Sequence, residues 1–174
     1  MEIIFADFIK ILLPAAIVLY AMFLTVRAFL NKELERKLVE VKLRSTEVVL
    51  PVRLQAYERM CLFLERISPN NLILRLNNDV FSAIELHHVL LSEIREEYNH
   101  NVSQQVYMSD EAWNQVRSAM EEIISIINNA AAQVHAEGRS MDLAKAIFEI
   151  IIQQELNPTS KALRFVKDEI RQSF

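Results

Sequence analysis

The sequence predicts an all-α protein: an N-terminal transmembrane helix continuing into a stalk, then a cytoplasmic multi-helix bundle. Three observations predict it. Ile11–Val26 is sixteen residues without a charge, bounded by Lys10 and Arg27. A single glycine in 174 residues leaves almost nothing for hairpin turns or phosphate loops. From Asn31 onward apolar residues recur at spacings of three and four, the period of a helix face. The expected organisation is an anchor over residues 1–30 with its span at 8–30, a juxtamembrane helical stalk over 31–50, and a cytoplasmic helical domain over 51–174.

A helix crossing the hydrocarbon core needs about 20 mostly apolar residues. The uncharged stretch reaches that length if Lys10 and Arg27 lie along the helix and lift their charges to the headgroups. Pro14 sits near the N-terminal end of the span, where a missing backbone hydrogen bond is easiest to tolerate. A cleaved signal peptide begins basic and ends in small residues; Met1–Asp7 is acidic, and Arg27–Asn31 offers no such site. No polar stripe interrupts Ile11–Val26, as a core helix would require. Ala15, Ala16 and Ala21 are a weak packing surface for a neighbouring span.

Flanking cations set the orientation. Lys10 stands alone before the span, whereas Arg27, Lys32, Arg36, Lys37, Lys42 and Arg44 follow it. The N-terminus is therefore expected outside and residues 31–174 in the cytoplasm, with the lipid bilayer as a partner. The lone Cys61 excludes an intramolecular disulfide, and its apolar neighbours suggest a buried thiol. Residues 28–66 carry a net +2 and residues 67–174 a net −6. An acidic body argues against nucleic acid as a partner, because phosphate contacts need clustered Lys and Arg.

Within Asn31–Ser45, Leu34, Leu38 and Val41 form a narrow stripe, with Glu33/Lys37 and Glu40/Arg44 spaced for helix support. Such a stripe suits a second chain or the protein's own body. The β-branched run before Pro51 predicts a kink or break at Thr46–Leu50, then a helix through Ile67. Ser68 is expected to cap a short helix through Leu76. Asn77-Asn78-Asp79 is expected to cap the next, whose apolar set runs from Val80 and Phe81 to Tyr98. Asn99–Met108 lacks helical periodicity and predicts a long loop, docked by Val102, Val106 and Tyr107. Ser109 caps a helix bearing Trp113, Val116, Met120, Ile123, Ile124 and Ile127, which Gly138 is expected to end as a left-handed C-cap. Ser140 caps the next helix, with Leu143, Ile147, Ile150 and Leu156 facing in, and Asn157-Pro158 opens the last. Phe174 is expected to close the core.

The stretches YERMCLFLERISPNNLILRL (Tyr57–Leu76) and EEYNHNVSQQVYMSDEAW (Glu96–Trp113) resemble those of an uncharacterised family of small single-pass, helical inner-membrane proteins of Bacteroidota. The resemblance runs over most of the chain, including the anchor. It implies a bacterial inner membrane and lends no catalytic residues.

The chemistry-bearing residues are sparse. Glu85-x-x-His88 and Glu97-x-x-His100 are weak metal candidates, since Glu-x-x-His on each of two bundle helices can hold a di-metal centre. Both copies fall on one helix and its end, so they cannot face each other across one metal pair. Nucleophile elbows and phosphate loops need more glycine than the chain has. Asn99, Asn101, Gln104, Gln105 and Tyr107 make a polar-aromatic surface suited to a protein partner. The expected function is a membrane-anchored cytoplasmic scaffold, adaptor or accessory subunit of an inner-membrane complex, or a homo-oligomer. No catalytic residue, cofactor or small-molecule substrate is expected. The alternative is a ligand- or metal-binding helical domain, enzymatic or not, using the His87/His88 helix and the loop after it.

Overall fold

The computed structural model describes residues 2–155 and 157–172; the side chains of residues 2–13, 42, 45 and 46 lie outside that description, as do the expected positions of Leu156 and Phe174. Among the described residues all regular structure is helical: α1 (Glu2–Arg66), α2 (Pro69–Leu76), α3 (Ala83–Asn101), a 3₁₀ turn (Val102–Tyr107), α4 (Asp110–Ala131), α5 (Ser140–Gln153) and α6 (Pro158–Arg171). The chain divides into two compact units, Met1–Val49 and Leu50–Phe174.

The first unit is helical from Glu2 onward, and its described apolar side chains are exposed, from Ile17 through Val49. Of the kink or break expected at Thr46–Leu50, a break is absent: α1 stays helical through Pro51. Proline removes one hydrogen bond to the residue four back, which is Glu47. Glu47 and Pro51 are both exposed, so water can satisfy the freed carbonyl and the helix need not end.

The second unit is a bundle. Tyr57, Met60, Phe63, Leu64 and Ile67 supply one side of its core from the last turns of α1 and the residue after it. Leu86, Leu90 and Ile94 line α3, and Val116, Ile123 and Ile127 line α4. Leu143 and Ile147 on α5, with Val166 on α6, complete it. α4 packs against α5 and α6, and α3 packs against α2, α4 and α5. The rings of Phe63, Tyr98 and Trp113 run in series, with centroids 6.1 and 5.6 Å apart.

Three helix starts differ in detail from the sequence expectation, each for a local reason. α3 starts at Ala83, because Ser82 and Glu85 form a complete capping box. Val80 therefore precedes the helix and is 85% exposed. Ser68 does not cap α2; its hydroxyl donates to the Glu65 carbonyl at 2.7 Å. α5 is entered through Arg139, whose N–H donates to Asp142 at 3.2 Å. Ser140 is buried instead, donating its hydroxyl to the Asn78 carbonyl at 3.0 Å.

Gly138 is not left-handed, and α4 ends at Ala131, well before it. What Gly138 provides is room: a Cβ there would lie 2.8 Å from the His135 carbonyl oxygen. Its own carbonyl accepts from Ala83 N–H at 2.7 Å. The neighbouring backbone is thus pinned and cannot retreat. Gly138→Ala is expected to lower unfolding stability by about 1–3 kcal/mol in urea melts. An unchanged midpoint would show that the loop yields.

The same contact belongs to a short zipper between two loops. Ser82 and Arg139 form an antiparallel bridge, Ile84 N–H donates to the Ala136 carbonyl, and Ser140 N–H donates to the Phe81 carbonyl. The α2–α3 connection is thereby tied to the α4–α5 connection.

Candidate functional site

In the first unit, Pro14–Val41 contains an 18-residue stretch long and apolar enough to cross a membrane, with mean hydropathy 1.5 and none of it buried. Leu19, Tyr20 and Val18 are each about two-thirds exposed. The Thr25 hydroxyl donates to the Ala21 carbonyl at 2.8 Å, so this polar group is satisfied within the helix. Arg27, Lys32, Arg36 and Lys37 are exposed on α1 after the apolar stretch, and the Lys10 side chain lies outside the described residues. Leu34, Leu38 and Val41 are 60%, 65% and 62% exposed. Glu40 pairs with Arg44 at 2.7 Å.

The second unit does not bring the sequence's metal candidates together. The Glu85 carboxylate accepts from the Ser82 N–H and hydroxyl at 2.8 and 2.9 Å, which holds its carboxyl below the ordinary range. His88 is exposed, and its ring lies 5.7 Å from that of His87, which bonds Asn128 at 2.8 Å. Glu97 pairs with Arg66 at 2.5 Å, and His100 Nδ1 lies 3.0 Å from the Glu96 carbonyl. Among the described residues no group of three or more His, Cys, Asp or Glu is placed to hold a metal ion. Burial pushes the Cys61 thiol up, away from the reactive thiolate.

The expected loop at Asn99–Met108 is helical: α3 runs to Asn101 and the 3₁₀ turn follows directly. Asn101 and Gln104 are half-buried and Gln105 is exposed. Asn101 Nδ2 donates to the Glu97 carbonyl at 2.8 Å. Val106 is 77% exposed and does not dock the segment, whereas Val102 and Tyr107 are 37% and 39% exposed. Met108 docks it, being buried in the core.

The segment is also held by a polar cluster that the sequence reading missed. Arg53 Nε donates to the Tyr107 carbonyl at 3.2 Å, with the guanidinium over the Tyr57 ring. The Tyr57 hydroxyl donates to Glu169, and the Ser109 hydroxyl donates to the same carboxylate at 2.6 Å. Residues from α1, the start of α4 and α6 thus meet on one carboxylate. Ser109 also caps α4, accepting from Ala112 N–H at 3.1 Å. Nothing in sequence spacing links residues so far apart.

Burial pushes the Glu169 carboxyl up, but hydrogen bonds from Ser109 and Tyr57 outweigh it and hold the group below the ordinary value. The Arg75 hydrogen bond does the same for Glu93, against burial. Burial, and then the Glu169 hydrogen bond, raise the Tyr57 hydroxyl. A depressed carboxylate stabilises the fold above its unfolded value, about 4.3, and that stability is lost as pH falls through the folded value. Unfolding stability is therefore expected to fall as pH drops below about 4.3. Glu169→Gln is expected to cost about 1 kcal/mol at neutral pH and to flatten that decline. An identical acid profile in the variant would remove Glu169 from the account.

The described residues define an all-α chain: an N-terminal helix with an exposed candidate membrane span, and a helical bundle tied by polar contacts between its helices. The chain belongs to the Family of unknown function (DUF7935), whose model matches residues 3–173. No curated protein and no solved structure matches it.

Proposed function

We propose that this chain is a single-pass protein of a bacterial inner membrane, with its N-terminus outside and its helical bundle in the cytoplasm. There it serves as a non-catalytic scaffold, adaptor or accessory subunit of a membrane complex. The observation that carries the reading is the exposed, uncharged apolar surface of α1 followed by exposed Arg27, Lys32, Arg36 and Lys37. Such a surface is stable in lipid and costly in water. Cations on one side favour retention of that side in the cytoplasm. The exposed Leu34, Leu38 and Val41 supply a stripe for a neighbouring helix, either a second copy or a partner subunit.

In-cell crosslinking, mild detergent extraction and mass spectrometry test the reading. The expected result is one stoichiometric crosslinked species, retained through purification and lost in a variant carrying Leu34→Glu, Leu38→Glu and Val41→Glu. A protein that stays monomeric and partner-free after crosslinking would sink it.

A further inference from the structure

The exposed stripe of α1 is longer and more regular than Leu34, Leu38 and Val41 alone. Leu34, Leu38, Val41 and Val48 fall at the d, a, d and d positions of a heptad. They are 60%, 65%, 62% and 72% exposed. Position 45, the a residue between the two valines, is serine by sequence. Asn31 occupies the a position before Leu34, and it too is exposed. The face from Asn31 to Val48 lies within the first unit and covers about two and a half heptads.

Asn31 decides what can cover this face. A helix laid along the stripe buries the carboxamide at an a position, which then needs a hydrogen-bond partner at its own level. A purely apolar helix leaves it orphaned. A parallel copy in register supplies the partner by symmetry, since Asn31 of one copy meets Asn31 of the other, and each offers a donor and an acceptor. An Asn at a single a position sets register and strand number in just this way. Anchors inserted with one orientation hold any two copies parallel, which is the geometry this pairing requires.

We propose that α1 pairs with α1 of a second copy of this chain as a parallel, in-register, two-stranded coiled coil from Asn31 to Val48, with Asn31 fixing the register. The inference rests on the membrane-anchored reading and names its partner. The pairing is weak in free solution. The seam is short, and by sequence the register sets Lys37 beside residue 42 of the other copy, a second lysine. Tethering both copies to one bilayer raises their effective concentration and offsets this. Arg27, four residues before Asn31 on the same face, carries its charge to the headgroups, so the seam starts after it.

Cysteine crosslinking of the full-length chain in its own membranes tests the inference, with a short membrane-permeant bismaleimide and a Cys61→Ala background. Leu34→Cys, Leu38→Cys and Val41→Cys are each expected to give a crosslinked dimer. Leu43 is the control, being 60% exposed and half a turn round the helix from Leu34. Leu43→Cys is expected to give about tenfold less dimer, because that position faces away from the seam. Asn31→Leu, combined with Val41→Cys, is expected to add trimers and larger species, because the residue that selects two strands is gone. Equal yield at Leu43→Cys, or a Val41→Cys species joined to a different protein, overturns self-pairing and leaves the scaffold reading standing. A ladder that stops at dimer in Asn31→Leu overturns the role of Asn31. No crosslinked species at any position sinks both readings. Should Cys61→Ala fail to accumulate, the same substitutions are made on the native chain, whose half-buried Cys61 alone supplies the blank.

Discussion

Replacing Arg27, Lys32, Arg36 and Lys37 by glutamine, with three lysines inserted before Phe8, is expected to turn the protein over in the membrane. A C-terminal alkaline phosphatase fusion, active only outside, would be silent on the native chain and active on the variant. A fluorescent-protein fusion, which matures inside, would show the reverse. The reason is that short flanks enriched in Lys and Arg resist translocation, while acidic residues contribute little. The native chain has Lys10 on one flank and four exposed cations soon after the candidate span on the other. Phosphatase activity on the native chain would refute the proposed orientation. Two silent variants with no membrane fraction would refute the span itself.

Leu90→Ala is expected to cost about 2–5 kcal/mol, a large share of a stability that is about 5–15 kcal/mol for a typical domain. Leu90 is fully buried at the middle of α3, which packs on α2, α4 and α5. Neighbours on three helices cannot all move in, so a cavity remains. Leu74 makes the control, being 78% exposed on α2. Leu74→Ala is expected to change stability by less than about 0.5 kcal/mol. Chemical denaturation monitored by Trp113 fluorescence reads both, and equal midpoints would contradict the packing described.

The all-α class was legible because glycine scarcity and helical period act over many residues at once. The core faces of α4 and α6 followed for the same reason, as did the Ser109 cap and the start of α6 at Asn157-Pro158. The start of α3 was legible but misread. Ser82-Ala83-Ile84-Glu85 carries the capping-box pattern, yet Val80 and Phe81 look like helix-face residues in the linear pattern. The helical turn after Asn101 was misread because 3₁₀ geometry has no 3.6-residue period to detect. Pro51 was read as a kink or break because its local penalty is visible in sequence, whereas the exposure that lets the helix continue is not. Of the sites, the apolar stretch with its basic flank needs only adjacent residues. The Arg53, Tyr57, Ser109 and Glu169 cluster needs three distant helices to be folded together first.

The zipper between the two loops has a kinetic consequence. Ala83, Ile84 and Ser140 donate their amides across it, to Gly138, Ala136 and Phe81. First-turn helix amides ordinarily exchange with solvent through small local openings, but these cannot be released without separating two helix pairs that share the core. Their deuterium uptake should therefore be as slow as that of Leu90 and Ile123, although the residues around them lie near the surface. The rim of this bundle would then report its global opening rate, making three amides at helix starts the slowest clock on an otherwise fast-exchanging edge.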